Sequence, residues 1–247
     1  MKALSMFTHS VRLVVQNLDV ALRISLVLYA VQVVSQIYSH NASSGEMVTD
    51  SFGVQVPLIS PAEGFMMLIL SLAATCASLW IAVAWHRYVL LGETPDGWLP
   101  KWPGSAILGY LWRSILLGLT VGAAIVPVII VFGFLLAPIL MIAAAVGVGS
   151  YVFFRLSPIL PAIALGDNMT FRDAWRVTAE HASTVFGLAG LMILMSLVLQ
   201  IPTLVSGDPS SLISLIYSIV VSWFATMIGI SLLTTVFGHC VEGRGID

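Results

Sequence analysis

Residues 105–164 read SAILGYLWRSILLGLTVGAAIVPVIIVFGFLLAPILMIAAAVGVGSYVFFRLSPILPAIA, with Arg113 and Arg155 as the only charged residues. A helix needs about 20 apolar residues to cross a bilayer, so this stretch holds two crossings joined by a tight turn. The turn is expected near Phe132 to Leu135, where Gly133 tolerates backbone angles closed to other residues and Pro127 and Pro138 flank it. No water-exposed surface can cover an apolar run of this length, so the solvent is expected to be lipid.

Outward from this pair, four more apolar runs complete predicted spans at 20–38, 65–85, 105–131, 136–164, 185–205 and 212–237. The first is the weakest, because it carries Gln32 and Gln36. Composition points the same way: the 247 residues are 59% hydrophobic and 9% charged, with mean hydropathy +1.01, where a soluble domain has about 25% charged residues. The expected fold is all-α and polytopic, one transmembrane domain over residues 1–247 with six transmembrane helices and two interfacial amphipathic helices. Arg12, Gln16, Asp19 and Arg23 interrupt the N-terminal stretch, which therefore lacks the compact apolar core of a secretory signal. The first span is expected to stay in the mature protein.

Orientation follows from the ten basic residues. Lys2, Arg12 and Arg23 precede or open the first span, and Arg87, Lys101 and Arg113 surround the second connection. Arg155, Arg172 and Arg176 surround the fourth, and Arg244 follows the last. The segments 39–64, 132–135 and 206–211 have none. The positive-inside rule then places both termini in the cytoplasm. The segment 39–64 carries Glu46, Asp50 and Glu63 and ends in Ser60-Pro61, which reads as a flexible outer surface loop.

Two amphipathic segments lie outside the spans, near 5–19 and 170–182. In the first, Phe7, Val11, Val14, Val15, Leu18 and Leu22 share one face at helical spacing, opposite His9, Arg12, Gln16, Asp19 and Arg23. In the second, Thr170 with Asp173 makes an Asp version of the capping box, and Phe171, Ala174, Trp175 and Thr178 oppose Arg172, Arg176 and Glu180. Both are expected to lie in the headgroup plane.

The chemistry of known site types is missing from the sequence. All twelve Asp and Glu fall outside the six predicted cores, and neither His-Glu-x-x-His nor Gly-x-Ser-x-Gly occurs. Cys76 and Cys240 form no metal-binding spacing. The chain is therefore expected not to be an enzyme and to need no metal or cofactor. A net charge of -2 without a dense Lys/Arg cluster argues against nucleic acid as a partner. His86 and His181 sit at predicted boundaries, where a histidine reads as a hydrated polar anchor.

The feature that asks for an explanation is basic. Arg23, Arg113 and Arg155 each lie several residues inside a predicted span, where a buried charge costs on the order of 2.5–3.5 kcal/mol. Either they snorkel to the headgroups, or they converge as a site for an anionic headgroup, since a guanidinium fork suits phosphate. Arg172, Trp175 and Arg176, with Trp98 and Trp102, are read as interfacial residues around that level. Gly118-x3-Gly122, Ala143-x3-Gly147 and Ala225-x3-Gly229 are small pairs one turn apart, expected to pack helices together within the monomer.

The run RLSPILPAIALGD at 155–167, followed by FRDAWRVT at 171–178, resembles uncharacterised bacterial inner-membrane proteins of the YciC-like group and the membrane domain attached to some glycerophosphodiester phosphodiesterases. The shared elements are an Arg-bearing fourth span, a Pro near its end, a short turn and an amphipathic helix with a Trp-Arg-x-Thr core. Relatives tend to have Pro-Gly at the turn between spans three and four, which this chain lacks. The resemblance implies a bacterial inner-membrane setting and no activity, because the phosphodiesterase chemistry belongs to a separate soluble domain. The expectation is a non-catalytic protein whose partners are membrane lipids, anionic ones included, or other envelope proteins. The alternative is a transporter or lipid-moving protein, for which Pro127, Pro138, Pro158, Pro161 and Pro202 would supply helix breaks.

Overall fold

The computed structural model describes residues 2–43, 45, 47–49, 53, 55–135, 137–206 and 211–246. It is 82% helical. In chain order the elements are α1 (Lys2–Gln16), α2 (Leu18–Ser43), strands β1 (Met47–Thr49) and β2 (Gln55–Pro57), then α3 (Pro61–Leu91) and α4 (Gly104–Phe134). α5 (Pro138–Leu156), α6 (Ile159–Leu165), α7 (Phe171–Val177), a 3₁₀ turn at Ala179–His181, α8 (Ala182–Ser206) and α9 (Leu212–Cys240) follow. Among the described residues, six helical segments are long and apolar enough to cross a membrane, α5 and α6 together forming the fourth. The chain is thus a multi-pass, all-α membrane protein.

Local signals set the helix ends. α3 starts on a complete capping box, Ser60 with Glu63, with Pro61 at a position where its missing N–H costs nothing, and it stops at Gly92 in the left-handed region (φ 72°). These caps extend the helix beyond its apolar run on both sides. The fourth span breaks at Ser157-Pro158 because proline has no N–H to continue the ladder, and α6 ends on Gly166 (φ 89°). At Asn17 the chain turns from α1 into α2, and the Asn17 side chain holds that corner: its Nδ2 donates to the Leu13 carbonyl (2.8 Å), and its Oδ1 accepts from the Tyr88 hydroxyl (2.8 Å).

Both termini lie at one end of the bundle. Ser10 of α1 bonds Thr235 near the end of α9 (2.9 Å), and Arg244 of the tail bonds the Leu90 carbonyl at the end of α3 (3.1 Å). All ten basic residues belong to this end, called the basic end below. The core sits there too. Buried side chains run from Ala21 to Tyr29 on α2, Ala77 to Leu90 on α3, Ile107 to Leu117 on α4 and Gly149 to Leu156 on α5, and most of those on α9 lie between Trp223 and Gly238. At the opposite end Phe134 is 85% and Ile139 81% exposed. In water this would be untenable, but lipid is as apolar as these side chains, so leaving them uncovered costs little.

Several expectations change. The third span runs on to Phe134 and Pro138 opens α5, so the helix continues into the turn expected at Phe132 to Leu135, with Gly133 helical. The connection between α2 and α3 is shorter than 39–64, with β1 and β2 pairing antiparallel, Val48 opposite Val56; Glu46 and Asp50 lie outside the described residues. α1 buries Met6, Ser10 and Val14 against α8 and α9 and leaves Val15 exposed, as is Leu18 at the start of α2, so the inward face is rotated from the expected one. α7 is only 7 residues long, not a helix over 170–182. The glycines of the small pairs are not closely packed: a Cβ added at Gly118, Gly122, Gly147 or Gly229 meets nothing within 4 Å. Tight glycines between helices include Gly149, Gly187 and Gly109, where an added Cβ would stand 2.9 Å from Ile125, 2.9 Å from Ala3 and 3.0 Å from Ile163.

Candidate functional site at the basic end

Arg155, in the last turn of α5, is 4% exposed. Its Nε donates to the Thr178 hydroxyl (2.9 Å), one terminal nitrogen to the Tyr151 hydroxyl (3.0 Å) and the other to the Trp175 carbonyl (2.8 Å). The Trp175 ring stacks on the guanidinium, 4.1 Å from its carbon to the ring centroid. Thr178 in turn reaches back to the Ala174 carbonyl (2.8 Å). Arg155, Trp175 and Thr178 thus close one clamp that folds the connection 157–177 back onto α5. The buried guanidinium is tolerated in this setting because hydroxyls and a carbonyl engage its donors.

The other two arginines of the expected anion site are not tied into this clamp. Arg23 is exposed on α2 and Arg113 partly exposed on α4, and no hydrogen bond or ring contact joins either to Arg155 among the described residues. On α7, Arg172 is exposed, and Arg176 pairs with Asp173 (2.9 Å). The Thr170 hydroxyl and main chain, then the arginine charges, hold the Asp173 carboxyl below its usual range. Trp98 and Trp102 are each 57% exposed. Trp102 lies edge-on to Trp80, centroids 4.6 Å apart, and the Trp80 indole N–H donates to the Lys101 carbonyl (3.2 Å).

His86 is not a hydrated anchor: it is fully buried among α3, α4 and α9. The Thr234 hydroxyl uses its one proton on the Ile230 carbonyl (2.9 Å), so toward His86 Nδ1 (2.8 Å) it can only accept. Nδ1 therefore carries the ring proton, and Nε2 accepts from the Tyr110 hydroxyl (3.3 Å). The chain Tyr110 to His86 to Thr234 satisfies a neutral imidazole completely. Its sequence signal was faint: one histidine, one tyrosine and a Thr-Thr pair in three separate apolar runs, with nothing to show that they face one another.

Next to this core lies a recess of about 500 Å³ between the end of α3 and the connection 92–103, with Ile24 of α2 on its wall. Arg87 donates to Glu93 (Nε to Oε2 2.8 Å) and to the Ala164 carbonyl (3.0 Å). That guanidinium holds the Glu93 carboxyl below its usual range. Across the recess Lys101 pairs with Asp96 (3.1 Å). None of these four residues stood out in the sequence, because a window of composition reads them only as loop charges. Comparisons with protein-family models, with curated proteins and with solved structures give no match to this chain.

Proposed function

We propose that this chain is a non-catalytic multi-pass protein of a bacterial inner membrane, both termini cytoplasmic, that acts by contact with membrane lipids or other envelope proteins. The observation that supports it best is α4. Over its 31 residues only Ile107, Tyr110 and Leu117 are buried, while Leu108, Trp112, Leu119 and Val126 stand more than half exposed. A helix so little used by its own bundle offers its surface to lipid or to a partner. The even placement of all ten basic residues at one end supports the orientation. Arg23 and Arg113 remain available to anionic headgroups at that level, whereas Arg155 is committed to its clamp.

A photo-crosslinking side chain at Leu119 in living membranes tests this reading. It is expected to capture lipid or a second protein, while the same group at Leu117, 2% exposed, should react only within the chain. Identical products at the two positions would refute it.

A transporter or lipid-moving role is the second reading. It is favoured by a recess of about 430 Å³ at the opposite end, lined by Ser35, Gln36, Ser39, His40 and Ser218, and by the broken fourth span. A cysteine at Gln32 that reacts with a water-soluble thiol reagent would favour this reading, and full protection would favour the first.

A further inference from the structure

We infer that the recess beside Arg87 binds the headgroup of a zwitterionic phospholipid, a phosphoethanolamine on a lipid, in preference to an anionic one. The inference rests on the lipid-contact reading and names the lipid class. Its wall carries two cations, Arg87 and Lys101, and two carboxylates, Glu93 and Asp96, each cation already facing a carboxylate. A ligand with a single negative charge would meet as much repulsion as attraction there. A headgroup that is itself an ion pair matches both signs: its phosphate faces Lys101 and Arg87, and its ammonium faces Asp96 and Glu93.

Two further features fit a lipid better than a soluble molecule. The connection that forms the wall exposes Trp98 (57%), Leu99 (50%) and Trp102 (57%), the amphipathic and apolar side chains that settle at the headgroup boundary. The recess also reaches Ile24 and Ala84, which belong to spans and give the start of an acyl chain an apolar wall. Lys101 and Asp96 are 82% and 77% exposed, so their mutual pair is weak and opens readily to a ligand. Pro95, Pro100 and Pro103 stiffen the connection, which lowers the cost of holding the site open.

The test uses the full chain in nanodiscs or detergent, with phosphatidylethanolamine, phosphatidylglycerol and phosphatidylcholine offered in equal amounts and retained lipid counted by native mass spectrometry. Phosphatidylethanolamine should be enriched over the other two, because phosphatidylcholine's methylated ammonium cannot donate hydrogen bonds. Asp96→Asn should lower that enrichment roughly three- to fivefold, and Lys101→Gln should lower retention of all three phosphate-bearing lipids alike. Both residues are exposed, so neither change should disturb folding, and unchanged thermal unfolding checks this. Equal retention of the ethanolamine and glycerol lipids, or an unaltered Asp96→Asn variant, would overturn the headgroup inference and leave lipid contact standing. Retention of no lipid at all by the wild-type chain would overturn the underlying reading as well. Binding of soluble phosphoethanolamine as tight as that of the lipid would assign the site to a free compound and overturn the lipid assignment.

Discussion

The guanidinium of Arg155 is held twice by one residue, its carbon 4.1 Å from the centre of the Trp175 ring and its terminal nitrogen 2.8 Å from the Trp175 carbonyl. With Thr178 this makes the basic end depend on a single buried charge. Arg155→Gln should lower stability by about 3 kcal/mol, since it strands the Thr178 and Trp175 acceptors. Arg155→Lys should recover only part, because an ammonium cannot match the planar fork and the stacking together. Trp175→Phe should cost less than either, as the main-chain carbonyl remains. Thermal unfolding in one detergent ranks the three; a lysine variant as stable as wild type would refute the clamp.

The hydroxyl network around His86 gives a contrast within one helix. Thr234→Val removes the acceptor of the His86 ring proton and should destabilise by about 1–3 kcal/mol. Ser231, also fully buried but with no hydrogen-bond partner for its hydroxyl among the described residues, should tolerate alanine with no loss or a slight gain. Denaturant titration of the two variants checks the difference, and a larger loss for Ser231→Ala would contradict it.

Glycine positions separate the packed faces from the lipid faces. Gly149→Val and Gly187→Val should each destabilise by about 1–3 kcal/mol, because the new atoms would meet Ile125 and Ala3 below contact distance. Gly118→Val and Gly122→Val should leave the monomer's stability within about 0.5 kcal/mol, since nothing lies there to clash.

Glu93 supplies a pH dependence with a definite sign. Its carboxyl is held below its ordinary value in the fold by the Arg87 hydrogen bonds, so its stabilising contribution is present above the unfolded value, about 4.3, and is lost as the pH falls below it. The group is 48% exposed, which limits the contribution to under about 1 kcal/mol. Glu93→Gln should therefore be less stable than wild type at pH 7, and the gap should shrink as the pH falls through the acid range. A gap that persists at acid pH would mean the pair is not its source.

The spans were legible because a run of about 20 apolar residues has few other uses. Their ends were not, since caps such as Ser60 with Glu63 and Gly92 carry a helix into polar sequence that hydropathy treats as loop. Spacing showed that Gly118 and Gly122 share a face, but a period fixes which residues face together and not what they face. The same limit hid His86, whose position near the end of an apolar run is equally that of a surface anchor and of a buried link to Thr234. Arg155 stood out as a charge needing compensation; its partners Trp175 and Thr178, 20 and 23 residues away along the chain, could be found only in the fold.

A cytoplasmic basic end underlies the proposed contacts with lipids and envelope proteins. With Cys76 and Cys240 replaced by alanine, single cysteines at Met47, Lys101 and Gly245 can be probed in intact cells with a membrane-impermeant maleimide. Met47 should be labelled in intact cells, and Lys101 and Gly245 only after the membrane is permeabilised. Labelling of Lys101 in intact cells with protection of Met47 would invert the topology and contradict a cytoplasmic basic end.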